Sequence, residues 1–127
     1  MKTIIKTAKA PAPIGPYNQA ILSGGTLYVS GQIGLKADGE TFVNENILAE
    51  TEQVMRNLEA VLNAADMDFS HVLKCSIFVM DMADFSAINE MYGGFFKAET
   101  APARETVQVA ALPKNARVEI SAIARKD

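Results

Sequence analysis

The stretch VLKCSIFVMDMADFSAINEMYGGFF, residues 72–96, decides the fold. Its first part, VLKCSIFVMD (72–81), is an almost unbroken apolar run of strand length and reads as a largely buried strand. From residue 84 the period changes. DFSAINEMYGGFF (84–96) spaces Phe85, Ile88, Tyr92 and Phe95 three and four apart, which is the pattern of a helix with one apolar face. Gly93-Gly94 should end that helix early, because glycine gains least from the helical state. RETVQVAAL (104–112) returns to a strand pattern, and a helix set between two strands is the usual way to lay them parallel.

Upstream, residues 47–65 repeat the theme. Ile47, Thr51, Val54, Met55, Leu58, Val61, Leu62 and Ala65 share one helical face, with Asn46 as a candidate N-cap. Glu50, Glu52, Arg56, Asn57, Glu59 and Asn63 fall mostly on the others and read as the solvated side. Before that helix, QAILSGGTLYVSGQIG (19–34) places two β-rich arms around Gly24-Gly25, a pair that tolerates the positive φ of a tight hairpin. TIIKT (3–7) predicts a short first strand. APAPIGPY (10–17) cannot be helical, since its three prolines fix φ and remove amide donors. ARVEISAIA (116–124) predicts a last strand, joined by PKN (113–115) to the one beginning at Arg104 and expected to lie beside it.

The predicted architecture is α+β. It is one domain over residues 1–127, with a mixed sheet of five to six strands and two helices on one face. The other sheet face also carries apolar residues, such as Val107 and Val109 or Ala110 and Leu112. No segment is left to cover it, so another copy of the chain is the expected cover.

Composition removes several function classes. Fifteen acidic residues against twelve Lys and Arg leave a net charge of −3, and no basic cluster offers a phosphate-binding surface, so nucleic acid is a poor partner. No apolar run is long enough to cross a membrane, and nothing after Met1-Lys2 resembles a signal peptide. With one cysteine, Cys75, no disulfide can form within the chain, and the expected setting is the cytoplasm. The lone His71 has no partner for a triad. Metal-ligand spacing, a GxGxxG fingerprint and a P-loop are all missing.

Arg104 stands out. Its guanidinium keeps its charge at any usable pH and presents a planar fork that matches a carboxylate, while Pro102 stiffens its approach. Glu119 lies mid-strand in RVEIS, where alternation leaves two readings open, a solvated carboxylate or a base on a cleft wall. Ser30-Gly31 and Tyr17 could orient a small polar ligand or serve only turn packing.

APAPIGPYNQA (10–20), YVSGQIG (28–34), VLKCSIFVMDMADFSAINEMY (72–92) and PARETVQVAALPKNARVEISAIA (102–124) together resemble the signature segments of the RidA (YjgF) family, in order and nearly end to end. That resemblance implies a chorismate-mutase-like fold and a homotrimer with active sites between subunits. It implies hydrolysis of 2-aminoacrylate and related 2-imino acids to 2-keto acids and ammonia, without a cofactor or a metal. Residue by residue, it makes Arg104 the carboxylate anchor and Glu119 the acid that orients the attacking water. Tyr17, Ser30, Gly31 and Asn89 match pocket positions. Thr106 stands where many relatives have a cysteine whose backbone N–H helps hold the carboxylate. Gly34 replaces a frequent proline, Asp66 a frequent glycine and Ser121 a frequent glutamate. The alternatives are a non-catalytic trimer that senses 2-keto acids and, behind it, a ribonuclease or translation inhibitor.

Overall fold

A computed structural model describes residues 1–127. The strands are β1 (Thr3–Ile5), β2 (Ala20–Ser23), β3 (Thr26–Gln32), β4 (Val72–Val79), β5 (Ala103–Gln108) and β6 (Val118–Arg125); the two α-helices are α1 (Ile47–Ala64) and α2 (Phe85–Gly93). They form one six-stranded mixed sheet in the order β1-β2-β3-β6-β4-β5, in which only the β4–β5 pair is parallel.

Local chemistry accounts for most of the boundaries. Gly24 and Gly25 take φ of 58° and 82°, as the two-residue turn between β2 and β3 requires. Asn46 caps α1, its Oδ1 accepting from the Ala49 amide at 2.8 Å. Just beyond α1 the chain turns through Asp66 at φ 57°, a left-handed conformation that glycine adopts most easily. α2 ends at Gly93, as the glycine pair predicts.

Three expectations about the strands need correction. Glu119 does not lie on a strand next to Arg104, because β6 inserts between β3 and β4 and leaves β4 separating the two residues. The α2 crossover carries β5 to the far edge of β4, and the alternating Val118, Ile120, Ala122 and Ala124 of β6 then take the most buried place in the sheet. β5 also stops at Gln108 rather than Leu112. β4 ends at Val79, whose carbonyl accepts from the Val109 amide, and beyond that point residues 110–112 have no ladder to join. The first strand likewise ends at Ile5, since the Thr7 amide is taken by the Gln19 side chain at 2.8 Å.

The core lies between the helices and one sheet face, where Leu27, Val29, Cys75, Ile77, Val79, Val118 and Ile120 meet Val54, Leu58, Val61, Leu62 and Ile88. Truncating any of the large ones to alanine would cost about 2–5 kcal/mol. Two α1 residues expected in solvent are instead buried, Glu50 and Asn57. Glu50 accepts from the backbone N–H of Arg117 at 2.7 Å and from its Nε at 2.8 Å, while Asn57 donates to the carbonyls of Ile33 and Leu35. Each is buried because it is fully partnered. The opposite sheet face carries exposed Ile4, Tyr28, Leu73 and Val107.

Candidate functional site

The residues singled out in the sequence fall into two groups on opposite sides of the sheet. Arg104 pairs with Cys75 of β4, and Cys75 belongs to the buried, helix-facing parity of that strand. Its side chain therefore turns toward α2. There its Nη1 donates to Asn89 Oδ1 at 2.7 Å, and its guanidinium carbon lies 5.1 Å from the Tyr92 ring centre and 5.7 Å from that of Phe85. Phe85, Asn89 and Tyr92 are spaced four and three apart, so one face of α2 grips the arginine from three directions. Arg104 forms no ion pair within its own chain. Burial pushes the Cys75 thiol and the Tyr92 phenol up, which keeps both neutral and leaves the positive charge uncompensated.

Thr106 shares the Arg104 side of the sheet, and its Oγ1 is buried without a hydrogen-bond partner. Its amide points elsewhere. Because the Val109 N–H donates inward to Val79, the alternation of a parallel ladder turns the amides of Arg104 and Thr106 out from the free edge of β5. A fixed guanidinium next to an outward amide can receive a carboxylate.

Glu119 belongs to the other side. It pairs with Phe78 of β4, whose parity faces away from the helices. Across β6, the β3 ladder slips between Val29 and Gln32, a bulge that contains Ser30 and Gly31. The bulge seats Gly31 directly under the carboxylate: a Cβ added to Gly31 would stand 2.7 Å from Glu119 Oε2. A side chain at this position would push the Glu119 carboxylate off its seat. Glu119 has no hydrogen-bonding or ionic partner in the chain, and burial raises its pKa above the usual carboxylate range. A carboxyl in that state takes up a proton more readily than an ordinary one and can return it.

Tyr17 stands near this second group. It shares a recess of about 40 Å³ with Gly31, Ile14, Ile33 and Leu35, and its phenolic oxygen accepts from the Ile14 amide at 3.3 Å. Ser30 spends its proton on the Asn18 carbonyl at 2.6 Å, so it braces the Tyr17 loop. Gln19 braces it again, its amide donating to the carbonyls of Thr7, Ala10 and Pro11.

Arg104, Asn89 and Thr106 thus meet at one place, and Glu119, Gly31, Ser30 and Tyr17 at another. Arg104 and Glu119 sit opposite β4 residues three apart, one on each flank of that strand, which separates their Cα atoms by about 14 Å. With side chains on opposite faces, one chain cannot bring both to the same small molecule. Sequence reading missed the Phe85 and Tyr92 clamp, because helical periodicity marks both as plain core. It also missed Gly31 as the seat of a carboxylate.

Residues 7–126 match the family model described as Endoribonuclease L-PSP. The human protein named 2-iminobutanoate/2-iminopropanoate deaminase is 44% identical over 98% of this chain and 90% of its own. The Arabidopsis thaliana protein named Reactive Intermediate Deaminase A, chloroplastic, is 46% identical over 97% of this chain and 65% of its own. A crystal structure of a Rid-family protein from Yersinia pestis superimposes with a TM-score of 0.95 at 43% identity, covering 99% of this chain and 100% of that one.

Proposed function

The chain belongs to the RidA (YjgF) family of reactive-intermediate deaminases, and from that premise we propose that it hydrolyses 2-iminobutanoate, 2-iminopropanoate and the 2-aminoacrylate that feeds the latter, giving 2-keto acids and ammonia. The observation that carries this reading is the state of Arg104, a charge held by Asn89 and two rings and paired with no carboxylate of its own chain. Such a fork suits a substrate carboxylate, with the outward Thr106 amide as a further donor.

The chemistry then needs little more than water and a proton carrier. Glu119 takes a proton from water as its oxygen attacks the imine carbon, forming a carbinolamine. The carboxyl passes that proton to nitrogen to complete the neutral carbinolamine, then carries the hydroxyl proton to nitrogen in the same way, so that the C–N bond breaks, ammonia leaves and the carbonyl forms. Tyr17 shapes the recess beside it, and Ser30 and Gly31 hold the carboxyl's seat.

Because the two groups face away from each other, the working site combines Arg104, Asn89 and Thr106 of one copy with Glu119, Gly31, Ser30 and Tyr17 of a neighbour. The exposed apolar residues of the open face, Ile4, Tyr28, Leu73 and Val107, support that assembly, with three copies facing their sheets inward. A match that runs over residues 7–126 fits one domain, and the resemblance implies that it is of the chorismate-mutase-like kind.

The description of the family model favours a second reading, RNA cleavage. The net charge of −3 and the single histidine speak against it. An amino-acid oxidase that generates imines in the presence of the protein separates the readings. Faster keto-acid release supports the deaminase, whereas binding of 2-oxobutanoate without acceleration would show a sensor. RNA cleavage that persists in Arg104→Ala would place any nuclease elsewhere.

A further inference from the structure

Two of the three buried polar residues of α1, Glu50 and Asn57, have a place in this site. Glu50 is fully buried, and its two carboxylate oxygens accept from the backbone N–H and the Nε of Arg117, two residues before Glu119. Arg117 continues the connection, its Nη2 donating to the Asn44 carbonyl at 3.0 Å. On the other side Glu50 closes against the segment that follows Gly31: a Cβ on Gly34 would stand 2.8 Å from Glu50 Cγ. Asn57, two helical turns on, secures that same segment through the carbonyls of Ile33 and Leu35 at 3.0 and 2.8 Å.

The chain on each side of the Glu119–Gly31 contact is therefore tied to one helix. Upstream of Glu119 the tie is Arg117; downstream of Gly31 it is Gly34, with the Asn57 bonds on either side of it. Glu119 itself has no hydrogen bond to fix it. Its position depends on how closely β6 and the β3 bulge are held together. The ladder pairs β3 with β6 on both sides of the bulge, at Val29–Ala122 and Gln32–Ile120, but gives Ser30 and Gly31 no partner within it.

We propose that Glu50, acting through Arg117, is a positioning residue for the imine-hydrolysis reaction: it fixes the seat of Glu119 on Gly31 without touching substrate. This rests on the deaminase reading. It also explains the departure at Gly34, since a proline ring there would meet the Glu50 side chain.

The test compares wild type with Glu50→Gln, which keeps the shape of the side chain but turns an amide N–H₂ toward one of the two Arg117 donors. A displacement of a fraction of an ångström at the carboxyl should lower kcat about tenfold with KM within about twofold. The ¹³C signal of the Glu119 carboxyl, assigned with Glu119→Gln, should titrate lower by about half a pH unit as water reaches the loosened seat. Val61→Ala, a core truncation in the same helix, should lose thermal stability while kcat and the Glu119 titration stay as in wild type. If Glu50→Gln does not fold, Arg117→Lys replaces it, because lysine keeps the charge but has no Nε–H at that point. Loss of stability with kcat and the Glu119 titration unchanged in either variant would reduce the pair to a structural brace and overturn the proposal. A wild-type protein without deaminase activity would instead remove the reading beneath it, and the titration alone would then decide whether Glu50 sets the environment of Glu119.

Discussion

Arg104 and Glu119 are treated in opposite ways by the fold. The arginine is gripped on three sides by Phe85, Asn89 and Tyr92, and its charge never changes. The glutamate rests on a glycine with no partner, and its pKa is free to move. Each treatment suits a task. An anchor works by position and gains from every contact that limits it. A proton carrier works by its pKa, which a hydrogen bond or an ion pair to its charged form would pull down.

The largest predicted effect comes from the gripped side. Arg104→Ala should lower kcat/KM for 2-iminobutanoate about 10³-fold, the loss of about two charge-assisted hydrogen bonds, while Tm changes little. Arg104→Lys should recover only a small part, because one ammonium cannot replace the fork. Both are read from initial rates of keto-acid formation and a melting curve.

On the unpartnered side, Glu119→Gln should cost about 10²-fold in kcat and yet stabilise the protein at neutral pH. The sign follows from burial. The folded state raises the pKa above its ordinary 4.5, so folding binds the proton more tightly than the unfolded chain does. The wild type therefore loses stability as pH rises from that ordinary value through the raised one, and the glutamine variant does not. Calorimetry at pH 4 and pH 8 should show the variant gaining on the wild type only at the higher pH. The wild-type rate should fall on the acid side as Glu119 protonates, at a pH above the ordinary carboxylate range.

Asn89→Ala sharpens the contrast at smaller scale. It frees Nη1 of Arg104 but leaves the rings, so KM should rise about tenfold with kcat nearly intact. An equal loss in kcat would mean that Asn89 meets the reacting atoms, and the division between anchor and proton carrier would be less clean.

Elements whose signals are local were legible in the sequence. The Gly24-Gly25 hairpin, the Asn46 cap and the end of α2 at its glycine pair each depend on a few neighbouring residues. The place of β6 did not, because periodicity gives a strand its faces but not its neighbours. For the same reason Glu119 could not be assigned to a face until its pairing with Phe78 was known. Glu50 and Asn57 were read as solvated because a hydrophobicity pattern counts any polar side chain as outward, even one whose partners lie more than twenty residues away. Arg104, Glu119 and Tyr17 stood out by residue type and placement, and the resemblance gave them roles and added Asn89. Their division between two faces of the sheet came only with the fold.

That division carries the central claim, that each working site is shared between copies, and one experiment meets it directly. Arg104→Ala and Glu119→Gln chains, each inactive alone, are unfolded together and refolded, and mixed oligomers are verified by native mass spectrometry. Random mixing should restore about a quarter of wild-type activity, since one junction in four then joins an intact Arg104 to an intact Glu119 from the next copy. Verified mixed oligomers with no recovered activity would contradict the shared site.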